Sequence, residues 1–266
     1  MSPSDLIARE FAPSVVFLNS ATYGLEPAAA RAAMAAYDEQ RAGGTLEPAS
    51  VDGVIDECRE LIGRLFGRTA DEVAISASAS QFVGTIAASL APGSRVLLAD
   101  EDFTSVLFPF LSRDDLIVET VPMVELAASV TGATDLIAVS AVQSADGRIA
   151  DLDALADAAE RHGARLMLDV TQAAGWLPLA DVRADFVLGG GYKWLLAPRG
   201  TAYLTGRPEA LATLRPTAAN WYAGDDRWSA IYSPPLRLAD TARRLDLSPA
   251  WGCWVGMESA SRNGGL

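Results

Sequence analysis

RLMLDVTQAAG, residues 165–175, decides the fold. Its apolar start reads as a buried strand, and its polar half as a turn that presents Asp169 and Gln172. Just before it, DLDALADAAERHG (151–163) sets Leu152, Leu155 and Ala158 on one helical face, with Gly163 at its C-terminal end. Just after it, DFVLGG (185–190) is another short apolar run. A helix crossing between apolar strands is the unit of a parallel sheet. The same rhythm extends in both directions. VAISAS (73–78), RVLLAD (95–100), LIVETV (116–121), LIAVSAV (136–142) and TAYLTG (201–206) are further apolar or β-branched runs separated by helices or turns. Such near-continuous runs suit strands buried on both faces. Upstream, EPAAARAAMAAYDEQ (26–40) is alanine-rich with Pro27 near its start, which predicts a helix. VDGVIDECRELIGRLFG (51–67) predicts a second, with Ile55, Cys58, Leu61, Ile62 and Leu65 on one face and Gly67 closing it. The expected fold class is therefore α/β, a mainly parallel sheet sandwiched by helices. Residues 216–240, PTAANWYAGDDRWSAIYSPPLRLAD, break the rhythm and read as a long ordered loop.

Composition narrows the function classes. At 266 residues and 50% hydrophobic content, the chain can bury one substantial core. It has no run of 18 apolar residues, and its first residues, MSPSDLIAREFAPS, lack the basic-then-apolar order of a signal peptide. The expectation is a cytoplasmic protein with no membrane partner. A net charge of −13 disfavours nucleic acid. Two cysteines, Cys58 and Cys253, imply no disulfide framework, and a single histidine, His162, leaves no basis for a His-rich metal site.

GGGYKWLLAPRG (189–200) carries the chemistry. Lys193 stands in an apolar, glycine-rich setting between Tyr192 and Trp194, where a poorly solvated amine favours its neutral form and imine formation with an aldehyde. Alone, it would ordinarily be read as a strand-end lysine reaching for water. Asp169 changes the balance, because a carboxylate at a strand end can hold a pyridine nitrogen protonated and make its ring an electron sink. The pair points to pyridoxal 5'-phosphate. In SASASQFVG (76–84), a strand ending in small residues opens into a helix, which is either ordinary capping or an anion site.

These segments resemble the class V aminotransferase family, the fold type I pyridoxal phosphate enzymes, in order and separation. SASASQFVG, DEDFTSVLFPFL (100–111), VSAVQSADG (139–147), LDVTQAAGWLP (168–178), YKWLLAPRG (192–200), NWYAG (220–224) and ARRLDLSPAW (242–251) together are similar to the hercynylcysteine sulfoxide lyase branch of that family. The likeness runs from LNSATYG (18–24) to WGCWVG (251–256). It implies a carbon–sulfur β-lyase that converts hercynylcysteine sulfoxide to ergothioneine with pyruvate and ammonia. The alternative is another class V activity, an aminotransferase or cysteine desulfurase.

The resemblance also assigns residues. Lys193 would bind the cofactor and act as general base, Asp169 would face the ring nitrogen, and Gln172 would donate to the phenolic oxygen. Ser80, with the amides of Ala79 and Gln81, would hold the phosphate, and Phe103 would stack on the ring. Desulfurases of this fold commonly carry histidines where Tyr192 and Phe103 stand here. Gly190 stands where relatives often place a phosphate-binding serine, so part of that contact must come from elsewhere, with Tyr192 and a partner subunit of a homodimer as candidates. In the aromatic loop, Trp221, Tyr222 and Trp228 either surround the substrate's trimethylammonium group or anchor the loop or a dimer contact. The resemblance divides the chain into an N-terminal segment (1–18), a cofactor-binding large domain (19–240) and the start of a largely missing small C-terminal domain (241–266). It places the arginine for the substrate carboxylate in that missing part, since Arg243 and Arg244 lie too early. The helix begun in SPAWGCWVGMESA (248–260) is then expected to leave Trp251, Trp254 and Val255 without a covering surface.

Overall fold

A computed structural model describes residues 3–264. All seven apolar runs form strands: β1 (Val73–Ser76), β2 (Arg95–Ala99), β3 (Ile117–Val121), β4 (Leu136–Ser140), β5 (Arg165–Asp169), β6 (Phe186–Gly190) and β7 (Ala202–Gly206). They build one sheet in the order β1-β7-β6-β5-β4-β2-β3. The strands pair in parallel except at β7, which runs antiparallel to both β1 and β6. The helices are α1 (Pro3–Glu10), α2 (Ala28–Ala42), α3 (Asp52–Leu65), α4 (Ala79–Ser89), α5 (Thr104–Leu111), α6 (Leu126–Ser129), α7 (Leu152–His162), α8 (Pro208–Leu211) and α9 (Trp251–Gly264).

Side-chain alternation along the strands explains the sandwich. Leu97, Ile137 and Leu168 point to a layer with Ile55 and Ile62 of α3 and Leu155 of α7. Leu98, Ala138 and Met167 point to the opposite layer with Phe82 and Ile86 of α4 and Val106 and Phe110 of α5. Strands covered on both faces need apolar residues at every position, which is why periodicity of two is absent from them. β3 is the exception: it is an edge strand whose residues are exposed or half-buried, whereas β1, at the other edge, is buried throughout.

The C-terminal helix departs from expectation. Trp254 is fully buried, and α9 packs against α2 and α3. The ring of Tyr37 and the sulfur of Met34, both on α2, lie against Gly252 and Gly256, where a β-carbon would meet them at about 3.1 and 2.9 Å. Trp251 is partly buried against the core beside Trp221. The alanine-rich α2 thus supplies the surface that the sequence left unassigned.

A buried ion pair ties this region to the sheet. Arg59 of α3 donates to Asp246 and, at 2.6 Å, to the carbonyl of Val73; Asp246 also accepts from the amide of Ile75 at 2.9 Å. Both side chains are buried, at 2% and 0% exposure. Burial raises the Asp246 carboxyl, and the Arg59 guanidinium opposes that shift. β1, the strand that leads into α4, is held in this way at Val73 and Ile75. Asp246→Ala, which strands the guanidinium, should destabilise the chain by about 3–5 kcal/mol in urea unfolding. The double change Arg59→Met, Asp246→Leu should cost much less, because no charge is left unpaired.

Candidate active site

The carboxyl ends of the parallel strands converge on one cavity of about 210 Å3, the place where open α/β sheets bind ligands. Its wall includes Ser80, Phe103, Asp169, Gln172, Tyr192 and Lys193, together with Ala79 and Arg199. Across the sheet these groups follow the strand order. β1 leads to α4 and Ser80, β6 leads to Lys193, and β5 ends at Asp169.

Lys193 and Asp169 are the electrostatic centre. Burial lowers the Lys193 amine below its ordinary 10.5; the Asp169 carboxylate pulls it back up, and Arg199 adds to the lowering. Burial raises the Asp169 carboxyl, which the hydroxyl and amide of Thr171 hold down, the amide at 2.8 Å. A carboxylate in this position wants a positive partner, and a protonated ring nitrogen supplies one. The Lys193 ammonium lies over the rings of Phe103 and Tyr192, 5.7 and 5.9 Å from their centroids. Phe103 therefore faces the cavity rather than the core, and half of its surface is exposed.

Polar contacts from neighbouring loops hold these groups. Gly190 donates its amide to Thr171 Oγ1 at 3.1 Å, joining the lysine-bearing loop to the aspartate-bearing one. Asp102, buried, accepts from the amide and hydroxyl of Ser140 and from the amide of Phe103, which fixes the Phe103 ring between two strand ends. The N-terminal loop lies across the site: Gly24 donates to the Tyr192 carbonyl at 2.9 Å. Any β-carbon at Gly24 would sit 2.1 Å from the Lys193 carbonyl, so only glycine permits this approach. Leu196, three residues past Lys193, is held at φ 57°, a strained conformation for a residue with a side chain.

Three expectations are corrected by the geometry. Gln172 lines the cavity, but both its N–H bonds are engaged, by the Ala21 carbonyl at 2.9 Å and Ser144 Oγ at 3.2 Å, while its Oε1 accepts from Trp194. In this arrangement it braces the site, with both donors held by the protein. Gln81 stands apart from the cavity wall; its amide is spent on the Ser78 carbonyl at 3.1 Å and its side chain on Ser76. Ala79 and Ser80 remain on the wall, and the N-cap residue Ser78 makes no side-chain cap, so the first amides of α4 stay open to an anion. The third correction concerns the aromatic loop. Tyr222 and Trp228 both donate to Asp52 at 2.9 Å, and Trp221 packs on Tyr222, Trp228 and Trp251. None of the three lines the Lys193 cavity. A charged acceptor on α3 draws the two polar ring atoms away from the site and makes the cluster a loop anchor.

Sequence reasoning missed Asp102, Ser140, Ser144 and Arg199. Each is a polar residue in or beside a strand end, with no periodic pattern to mark it, and only the convergence of strand ends brings them together. Among the described residues no cluster of metal-ligating side chains occurs, and no helix is long and apolar enough to cross a membrane.

The family model of the class V aminotransferases matches residues 15–225, and the chain belongs to that family. The chain is 30% identical to isopenicillin N epimerase of Streptomyces clavuligerus, over 89% of this chain and 67% of that protein. It is 29% identical to the uncharacterized aminotransferase YcbU of Bacillus subtilis (strain 168), over 69% of this chain and 52% of the relative, so it spans about half the length of that protein. Among solved structures, the cystine C–S lyase C-DES in complex with cysteine persulfide shares the fold, with a TM-score of 0.82 at 20% identity, covering 96% of this chain and 71% of that one. The apo cysteine desulfurase of Thermococcus onnurineus NA1 superposes with a TM-score of 0.83 at 19% identity, over 98% of this chain and 70% of that one.

Pyridoxal 5'-phosphate is the cofactor of the family, and this donor set fits it: an amine of lowered basicity, a buried carboxylate and open helix amides in one cavity. The lowered amine has a measurable consequence. Uptake of pyridoxal phosphate by the apo-protein, followed by visible absorption, should accelerate with rising pH through an inflection below 10.5. Asp169→Asn removes the charge that steadies the ammonium, so the inflection should move further down.

Proposed function

We propose that this chain forms the cofactor-binding part of a pyridoxal-phosphate-dependent carbon–sulfur β-lyase acting on a sulfur-bearing amino acid, with hercynylcysteine sulfoxide as the substrate. The observation that carries this reading is that the rings of Phe103 and Tyr192, at the positions where desulfurases of this fold commonly carry histidines, lie against Lys193 in the cavity that Asp169 also lines. Cys58 is buried in the core, donating to the Trp254 carbonyl, and burial raises its thiol. Cys253 lies behind the Lys193 loop, against Gly200. Elimination requires a base beside the α-carbon, which Lys193 supplies. The resemblance of the motif strings to the lyase branch supports the particular substrate.

When bound, pyridoxal phosphate acts as the electron sink that acidifies the substrate's α-carbon. Asp169 keeps the positive charge at the ring nitrogen, and its burial makes that pairing strong. Lys193, whose amine burial makes less basic, would take the α-proton at Nζ. Phe103 and Tyr192 shield the amine from water. The Cβ–S bond breaks, and the sulfur leaves as a sulfenic acid. A thiol reductant supplies the two electrons that convert it to the thione, ergothioneine, while the three-carbon fragment takes up water to give pyruvate and ammonia. The working unit is proposed as a cytoplasmic homodimer.

Incubation with hercynylcysteine sulfoxide, cysteine and an amino acid with a 2-oxo acid in parallel, read by mass spectrometry and pyruvate release, separates the class V activities. The expected outcome is pyruvate from the sulfoxide alone. Persulfide from cysteine, or amino transfer, would replace the lyase reading with the other class V chemistry. Lys193→Ala should abolish both the visible absorption of the bound cofactor and turnover.

A further inference from the structure

We propose that the guanidinium of Arg199 holds the phosphate group of pyridoxal 5'-phosphate, replacing the phosphate contact that Gly190 cannot make. This rests on the cofactor reading of the site and names a residue that reading leaves out.

The sheet fixes where Arg199 stands. Ala202, the first residue of β7, pairs with Ser76 at the end of β1 on one side and with Gly190 at the end of β6 on the other. The turn that carries Arg199 into β7 therefore lies between the start of α4 and the Lys193 loop. Across the cavity mouth the order is the open amides and Ser80 of α4, then Arg199, then Lys193, then Asp169. With the cofactor's ring nitrogen at Asp169 and its aldehyde at Lys193, its phosphate falls at the α4 end, beside Arg199.

The turn is built to hold this position. Gly200 adopts φ 110°, Thr201 Oγ1 donates to the Pro198 carbonyl at 2.8 Å, and Gly191 donates to the Thr201 carbonyl at 2.7 Å. The guanidinium lies over the Tyr192 ring, 5.1 Å from its centroid, and has no carboxylate or hydrogen-bond partner among the described residues. Stacking thus orients the fork and leaves its N–H groups free for an oxyanion.

Charge accounting leads to the same residue. A phosphate ester carries up to two negative charges at neutral pH. The chain is strongly acidic overall, and the carboxylate of Asp169 lines the cavity. Lys193 and Arg199 are the cations on its wall. Lys193 is committed to the aldehyde, which leaves Arg199 to neutralise the phosphate.

Equilibrium titration of the apo-protein with pyridoxal 5'-phosphate and, separately, with pyridoxal tests the assignment, because the two ligands differ only in the phosphate. Visible absorption reports the bound ligand without any turnover. Arg199→Gln should weaken pyridoxal phosphate by on the order of ten-fold more than pyridoxal, which feels only the lost charge near Lys193, so that the preference for the phosphorylated ligand collapses. Arg199→Lys, which keeps a point charge, should recover most of the loss. Equal weakening of both ligands in Arg199→Gln, or no weakening of either, overturns the assignment while leaving the cofactor reading intact. A wild-type protein that captures neither ligand overturns both.

Discussion

A lysine and an aspartate share one buried cavity, and burial shifts the proton affinity of each away from what it would have in bulk water. Desolvation works against both charges: it lowers the lysine and raises the aspartate. Their mutual attraction offsets part of the cost, and the remainder makes the site reactive. An amine that sheds its proton readily can attack an aldehyde, and a carboxylate starved of solvent binds a cationic ring strongly. The rest of the site serves to keep these two groups dry and in register at the ends of adjacent strands.

That register is not a property of the strands alone. β5 and β6 pair from Met167↔Phe186 as far as Asp169↔Leu188, and beyond that point loops must carry the geometry. Thr171 links the two loops, Gln172 ties the aspartate loop to the N-terminal loop and to Trp194, and Asp102 fastens Phe103 to the end of β4. Except for the Gln172–Trp194 bond, which joins two side chains, each uses a side chain to satisfy a backbone group. The strained Leu196 and the close approach at Gly24 show that the loops are fitted to one another, not merely covering the sheet.

The reversed strand β7 has two consequences. It places the turn after Lys193 at the same edge as the carboxyl ends of its neighbours, so residues on that turn face the ligand. It also places β1 at the sheet's outer edge, where the Arg59–Asp246 pair and the amide of Ile75 hold it. The start of α4 depends on β1, and so a buried ion pair that lines no part of the Lys193 cavity sets where the anion-binding amides stand.

Local sequence determined much of this. Seven apolar runs became seven strands, because a strand buried on two faces must be apolar throughout, and that signal survives without any partner in view. Lys193 and Asp169 were legible for a related reason: a charged residue inside or just beyond such a run is out of place unless it has a task. Tertiary structure decided the remainder. Trp221, Tyr222 and Trp228 carry the same ring chemistry whether they enclose a cation or anchor a loop, and Asp52, some 170 residues distant in the chain, settled it by accepting their hydrogen bonds. Gln172 looked like a donor to a ligand until Ala21 and Ser144 took both its N–H bonds. Arg199 looked like any loop arginine, and only the pairing of β7 between β1 and β6 brought it to the cavity. The sequence fixes what each side chain is able to do, whereas which groups meet is set by long-range pairing, because hydrogen-bond partners and burial are properties of neighbours in space.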